Sequence, residues 1–523
     1  MAVKPVTNGV HWRGHKSLLL GTAWGEILHG VILSKIYCLI NHALVGNSMR
    51  AKHLPQLIII GMLLCGVSLP AAGLDLSLPD LGNPSTQVLS TAEEARIGRQ
   101  MMNEIRTELD LVEDPAINAY VRALGARIAT ASDSGGSPLQ FFVLADDRIN
   151  AFAMPGGYIG VHSGLITAST TESELGAVIA HEIAHITQRH IARRLAAATS
   201  SNLRSAALVI AGLLISTQDP QAGMAAATSG MASGIDSQLA YSRDHEREAD
   251  RVGLRIMANA RLDPHGMPDF FQILMDDSRY RRDPPAFLST HPLTDARIAD
   301  ARALANDVKP SDAFESPDYA YIRGRTLALQ APSRTALIDE LRKERNETTP
   351  SLNYALAIAL INGGNPQEAT VIVEDLLAQQ GEHALLSLAL AEAAFADDDP
   401  KTAEAIVDEA LSLFPGDPAL RAMAVELKLA EGQANAALRL TRNLVQQSPQ
   451  AVELWTLHAQ VASAADNPAE SALAMAQYHA VQGDYRSGLR QLRRLDSLLV
   501  TPSQRARAEA LKTQWEAALT PAG

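Results

Sequence analysis

The stretch ESELGAVIAHEIAHITQRH, Glu172–His190, decides how the rest of the chain is read. Thr171 and Glu174 form a T-x-x-E capping box that opens a long helix running through His185. On such a helix His181 and His185 are four residues apart and lie on one face, one turn above the other. Their imidazoles can converge on one tetrahedral zinc while Glu182, beside them, reaches the water held there. Zinc lowers the pKa of such a water to about 7, and the carboxylate can take the proton as the water attacks a carbonyl. The plain alternative is a helix face with two histidines turned to solvent.

Zinc needs a third protein ligand. The metzincin pattern would place Gly and His at positions occupied here by Gln188 and Ile191, so that class is excluded. His190, nine residues after His181, is expected on roughly the opposite side of the helix, as a structural or solvated residue. The other solution is a carboxylate from a second helix, and HEREAD supplies it: Glu246 and Asp250 stand at i and i+4. One carboxylate can ligate while the other accepts the N–H of a ligating imidazole and fixes its tautomer. Glu248 points elsewhere on that helix and is the weaker candidate. A charged surface helix is the plain reading of DHEREADR.

The formal net charge of −13 excludes a general affinity for nucleic acid, which needs a basic footprint. Residues 57–69, LIIIGMLLCGVSL, form an apolar run shorter than the ~20 residues of a comfortable membrane span. Arg50 and Lys52 precede it, and Pro70-Ala71-Ala72-Gly73 follow, so residues 49–73 read as a signal peptide. Residues 1–48 are then a mis-assigned extension ahead of the true start at Met49. The rival reading is a genuine extension that leaves 57–69 as an uncut anchor. Cleavage near Gly73 removes both cysteines, Cys38 and Cys65, and with them any disulfide or thiolate metal site.

Residues 74–89 read as a linker, 90–316 as an α+β metalloprotease domain and 317–523 as an all-α solenoid. Two amphipathic helices fill Ser90 to about Ala131. Leu139–Asp146 and Gly157–Gly164 read as strands joined through NAFAMPGG. Ser205–Ile215 is too short for a membrane helix and fits a buried helix or a lid, with the small, flexible Gly223–Gly234 after it. Beyond about residue 315 a 34-residue step appears: Pro366, Pro400, Ala434 and Pro468 hold equivalent positions in turn sequences, and Pro415 and Pro449 keep the same step. That period resembles the tetratricopeptide repeat.

Taken in order, NAFAMPGG, HEIAHITQRH, YSRDHEREAD and STHPLTDAR resemble the gluzincin family that includes prenyl-protein proteases, the heat-shock membrane protease and mitochondrial Oma-type proteases. A signal peptide before this domain and repeats after it narrow the resemblance to periplasmic members that act in assembly of outer-membrane proteins. The resemblance implies one Zn2+ per chain, held by His181, His185 and Glu246, with Glu182 as general base and Asp250 assisting as hydrogen-bond partner or proton donor. It also implies unfolded or misassembled outer-membrane proteins as substrates and the outer-membrane assembly machinery as partner of the repeats. Members that cleave prenylated proteins carry several spanning helices. This chain shows no span of that length after the signal peptide, which makes the mature protein soluble or peripheral.

Phe152, Ala153 and Met154 are expected on an edge strand above the active-site helix, where free backbone groups bind an extended substrate by strand addition. His291, set on a loop by Pro292, reads as a fourth ligand that latches the site shut. Its competing roles are donation to the developing oxyanion and no role at all. Two readings stand beside the protease: a chaperone or scaffold with a latent or structural zinc site, and an enzyme of peptidoglycan peptides.

Overall fold

The computed structural model describes residues 89–132, 139–197, 242–280, 285–308, 312–344 and 349–519. Residues 1–48, 49–73 and 74–88, expected from sequence to be an extension, a signal peptide and most of a linker, lie outside the described residues, as do Ser205–Ile215 and Gly223–Gly234. All described residues belong to a single unit, Gly82–Gly523.

Ser90 caps the first helix, α1 (Thr91–Glu108), in a reciprocal capping box with Glu93. Asp114 caps α2 (Pro115–Thr130), which starts on proline, a residue already fixed at helical φ and without an N–H to orphan. Three strands follow: β1 (Gln140–Leu144), β2 (Ala151–Met154) and β3 (Tyr158–His162). Their order is β1-β3-β2, with β1 parallel and β2 antiparallel to the central β3. The sheet period of two puts Phe152 and Met154 on one face, in a cluster with Met101, Met102, Ile105 and Tyr158. Ala151 belongs to the main core. Both faces of β2 are therefore buried, and its outer edge offers backbone rather than side chains. Gly156 and Gly157 make the β2–β3 turn at φ of 81° and 84°, which suits glycine.

After the short α3 (Ser163–Ala168) comes α4 (Glu172–Thr187), capped by Thr171 with Glu174 as expected. Every residue of α4 from Glu172 to His185 is buried, so it is the central helix of the domain rather than an amphipathic cover. Against it pack α6 (Arg243–Asn259) and α7 (Gly266–Tyr280). At Gly253 on α6 a Cβ would meet the tip of Met267 of α7 at 3.1 Å and the His181 backbone nitrogen at 3.4 Å, so α6 lies in direct contact with the α4 backbone. Between α4 and α6 the chain reverses at Arg189, whose φ is 54°, and enters α5 (His190–Ala197). A short α8 (Ala286–Thr290) ends at His291, and Thr294 caps α9 (Asp295–Asp307).

From α10 (Asp318–Gln330) onward the described chain is helical: α11 (Arg334–Glu344), α12 (Pro350–Asn362), α13 (Pro366–Gln380), α14 (Ala384–Ala396), α15 (Pro400–Leu413), α16 (Pro418–Ala430), α17 (Ala434–Gln447), α18 (Val452–Ala464), α19 (Pro468–Val481), α20 (Tyr485–Arg493) and α21 (Pro502–Leu519). The 34-residue markers Pro366, Pro400, Ala434 and Pro468 each open the second helix of a hairpin. Two residues earlier the backbone turns left-handed every time, at Gly364 (φ 78°), Asp398 (63°), Gly432 (72°) and Asp466 (51°). Glycine and aspartate are among the residues that tolerate this conformation. Three residues after the first three markers, Ala369, Ala403 and Ala437 are fully buried where paired helices meet.

The repeats do not stand apart from the protease domain. On α10, the Tyr319 hydroxyl donates to the carbonyls of Ile166 (3.0 Å) and Ser169 (3.2 Å), and Arg323 Nε to that of Thr167 (2.9 Å). These carbonyls at the end of α3 lack helical partners. Arg325, buried, pairs with Asp114 of α2 (2.8 Å) and Glu392 of α14 (2.5 Å). No described helix is long and apolar enough to cross a membrane.

Candidate metal centre

The side chains at issue come from three elements. Helix α4 supplies His181, Glu182 and His185, α6 supplies Glu246 and Asp250, and the α8–α9 connection supplies His291. All six are at least 96% buried. One ligand atom each from His181, His185, Glu246 and His291 can be chosen so that all four lie within 4.8 Å of one another. His185 Nε2 is 2.9 Å from His181 Nε2 and 3.4 Å from Glu246 Oε1; His181 Nε2 is 3.5 Å from Glu246 Oε2. Ring nitrogens facing each other this closely need a proton or a cation between them. The donor set, imidazole and carboxylate oxygen with no sulfur, suits zinc.

Outside this cluster, further side chains hold His181 and Glu246 in place. Asp250 Oδ1 lies 3.1 Å from His181 Nδ1. Arg297 on α9 donates to both Asp250 oxygens and lies 2.7 Å from Glu246 Oε2. Burial alone would lower the His181 imidazole, but bonding to Asp250 and Glu246 lifts it to about 10. Burial would raise Glu246, yet His291, His181 and His185 hold it well below the usual carboxylate range. Asp250 is likewise lowered against its burial, by His181 and Arg297. Glu246 and Asp250 are thus both held ionised, and a metal cation would take the place of the proton shared among the imidazoles.

Glu182 sits differently. Its burial raises its proton affinity, opposed by His291 and His181 and by the backbone N–H of Ala153. The Ala153 amide lies near the Glu182 carboxylate, on β2 at the edge of the sheet among the described residues. His291 Nε2 is 3.3 Å from Glu182 Oε1, and its Nδ1 is 3.1 Å from Glu246 Oε1 and 3.3 Å from His181 Nε2. The ring stacks on Phe287 with centroids 4.4 Å apart.

The structure corrects the expectation for His190. It is neither solvated nor turned away: the reversal at Arg189 brings it back, fully buried, with Nδ1 2.9 Å from His185 Nδ1. Arg297 was not singled out for the site from sequence, although it closes the STHPLTDAR motif. Glu248 stands off the cluster, pairing with His190 (3.2 Å) and Arg193 (2.9 Å).

A buried metal-binding constellation on a central helix, joined to a helical repeat, defines a metallopeptidase with a tetratricopeptide-repeat domain. Residues 115–305 match Peptidase family M48, and residues 394–461 match the tetratricopeptide repeat. The chain belongs to the family of β-barrel assembly-enhancing proteases. It is 35% identical to the β-barrel assembly-enhancing protease of Yersinia pestis over 64% of this chain and 69% of that one. With that of Escherichia coli the identity is 32%, over 78% and 84%. The mitochondrial metalloendopeptidase OMA1 of Schizosaccharomyces pombe is 30% identical over a shorter stretch, 34% of this chain and 50% of that one.

Proposed function

We propose that this metallopeptidase is a zinc-dependent endopeptidase of the periplasm that removes misassembled or stalled outer-membrane β-barrel proteins and assists the assembly of others. In this reading His181, His185 and Glu246 hold the zinc, Glu182 is the general base, and Asp250 orients His181. The observation that carries it is the buried cluster of His181, His185, Glu246 and His291, with Glu182 and the free edge of β2 beside it.

Zinc, when bound, supplies a Lewis acid that activates water at neutral pH. The protein's own groups do the rest. Glu182 accepts the proton from water, and its burial raises its carboxyl toward the range where a base works best. An extended substrate pairs with the outer edge of Phe152–Met154, where Ala153 presents its amide. The side chains of Phe152 and Met154 are committed to the core, so such pairing reads backbone. That suits a protease of unfolded β-strand proteins. The repeats recruit the outer-membrane assembly machinery.

His291 occupies the fourth corner of the ligand cluster, and this supports the latch: its imidazole takes the place of water and keeps the site latent until the α8–α9 connection moves. The same contact favours, as a second reading, a chaperone or scaffold whose metal site is mostly closed.

The test is a substrate trap. Glu182→Gln, expressed in cells, should fold, retain metal, and stay bound to unassembled β-barrel proteins that the unaltered protein degrades. Retained cleavage would overturn the role of Glu182, and a captured set without outer-membrane proteins would overturn the substrate class.

A further inference from the structure

The HEREAD segment carries three carboxylates, and the reading above uses two. We infer that the third, Glu248, acts with His190 as a relay that fixes the tautomer of His185, as Asp250 fixes that of His181. The inference rests on the reading of His181, His185 and Glu246 as metal ligands.

The geometry runs outward from the cluster. His185 turns Nε2 inward, 2.9 Å from His181 Nε2, and Nδ1 outward, 2.9 Å from His190 Nδ1. His190 Nε2 is 3.2 Å from Glu248 Oε2, which also receives Arg193 Nη1 at 2.9 Å. An ionised carboxylate only accepts, so His190 donates from Nε2 to Glu248. A neutral His190 then presents a lone pair on Nδ1. His185 must donate to it from its own Nδ1, and its Nε2 is left as a lone pair facing the metal position. Which ring nitrogen ligates is set by the hydrogen bond that the other one makes. Asp250 does this for His181 directly, at 3.1 Å from Nδ1. For His185, His190 stands between Nδ1 and the α6 carboxylate of Glu248.

The fold supports this placement. A regular helix through Gln188 would carry His190 away from His185. The left-handed Arg189 breaks α4 and starts α5 in a new direction. Arg189 is tied in that conformation through Nη2 to the Leu89 carbonyl (2.8 Å) and Glu94 (2.9 Å). On α6, His245 stacks on the His190 ring with centroids 4.4 Å apart and planes 19° apart. His190 and Glu248 are thus positioning residues, acting through His185.

The test measures metal affinity on full-length protein stripped of metal, by competing Zn2+ or Co2+ against a chelator, with circular dichroism to establish folding. His190→Phe keeps a ring and removes the acceptor, and should weaken binding ~10–100-fold, the usual loss for such a partner. His190→Asn returns an acceptor near the Nδ1 position and should recover part of it. Glu248→Ala, at a partly exposed site where folding is not at stake, should weaken binding in the same direction. Combined with His190→Phe it should add nothing. Ring 15N shifts of metal-free protein should report His185 protonated at Nδ1. Unchanged affinity in His190→Phe, additive losses in the double variant, or a proton on His185 Nε2 would each overturn the relay. Glu246→Gln in parallel separates the two readings: if it binds metal as tightly as the unaltered protein, the ligand assignment fails first.

Discussion

Arg297 grips Asp250 with two hydrogen bonds, Nε to Oδ2 and Nη2 to Oδ1, both 2.8 Å. Such a fork keeps the carboxylate ionised and immobile, with Oδ1 facing His181 Nδ1. The His181 ring is thereby oriented from a helix that contributes no ligand of its own.

This arrangement ranks the carboxylates of α6. Glu246→Gln should lose metal outright. Asp250→Asn should weaken it ~10–100-fold. Glu248→Gln, whose amide oxygen still accepts from His190, should change it little. Chelator competition on the three proteins checks the order, and a stronger effect at Glu248 than at Glu246 would reverse the ligand assignment.

His291 is decided by the sign of its effect. If the imidazole is a latch, His291→Ala raises cleavage of an unstructured protein. If it stabilises the developing oxyanion, cleavage falls by roughly 100-fold or more. Initial rates on an unfolded substrate, with metal content measured on the same samples, separate the two.

The contacts of α10 predict how the chain can be cut. A fragment ending at residue 316 leaves the carbonyls of Ile166, Thr167 and Ser169 without Tyr319 and Arg323. Fragments of residues 89–316 and 89–331 should therefore differ, with the longer one melting higher and aggregating less. Equal melting would show that α10 adds nothing to the protease domain.

In the last repeats, burial would raise the Glu470 carboxyl, but His458, Arg507 and Gln504 bring it down to about 2 from an ordinary 4.5. A depressed carboxylate stabilises the folded state above its unfolded pKa, and that contribution is lost as pH falls toward the folded one. The gap in melting temperature between the unaltered protein and Glu470→Gln should hold above about pH 5 and close between about pH 4.5 and 2. A gap that stays constant with pH would remove Glu470 from the pH response.

Much of the centre was legible because it depends on local spacing. Two histidines four apart, Glu246 and Asp250 four apart, and the cap at Thr171 all follow from the period of a helix. The 34-residue step was legible because each repeat places proline or alanine at the same turn. His190 was misplaced because the helix was extended through Arg189, and nothing in the identity of an arginine announces a left-handed backbone. Arg297 was passed over because its value depends on α9 returning beside α6, a tertiary fact. The docking of α10 was hidden for a similar reason: the tyrosines and arginines of a helix do not declare which carbonyls and carboxylates they will meet.

Tyr319 completes its bond to Ile166 across 153 residues of chain. A protein is made from its N-terminus, so the catalytic helix exists long before the side chains that close the domain beneath it. Arg325 waits longer still, since one of its two anions, Glu392, lies 67 residues further on. The contacts that tie the protease domain to the repeats can therefore be completed only in a chain that extends as far as Glu392.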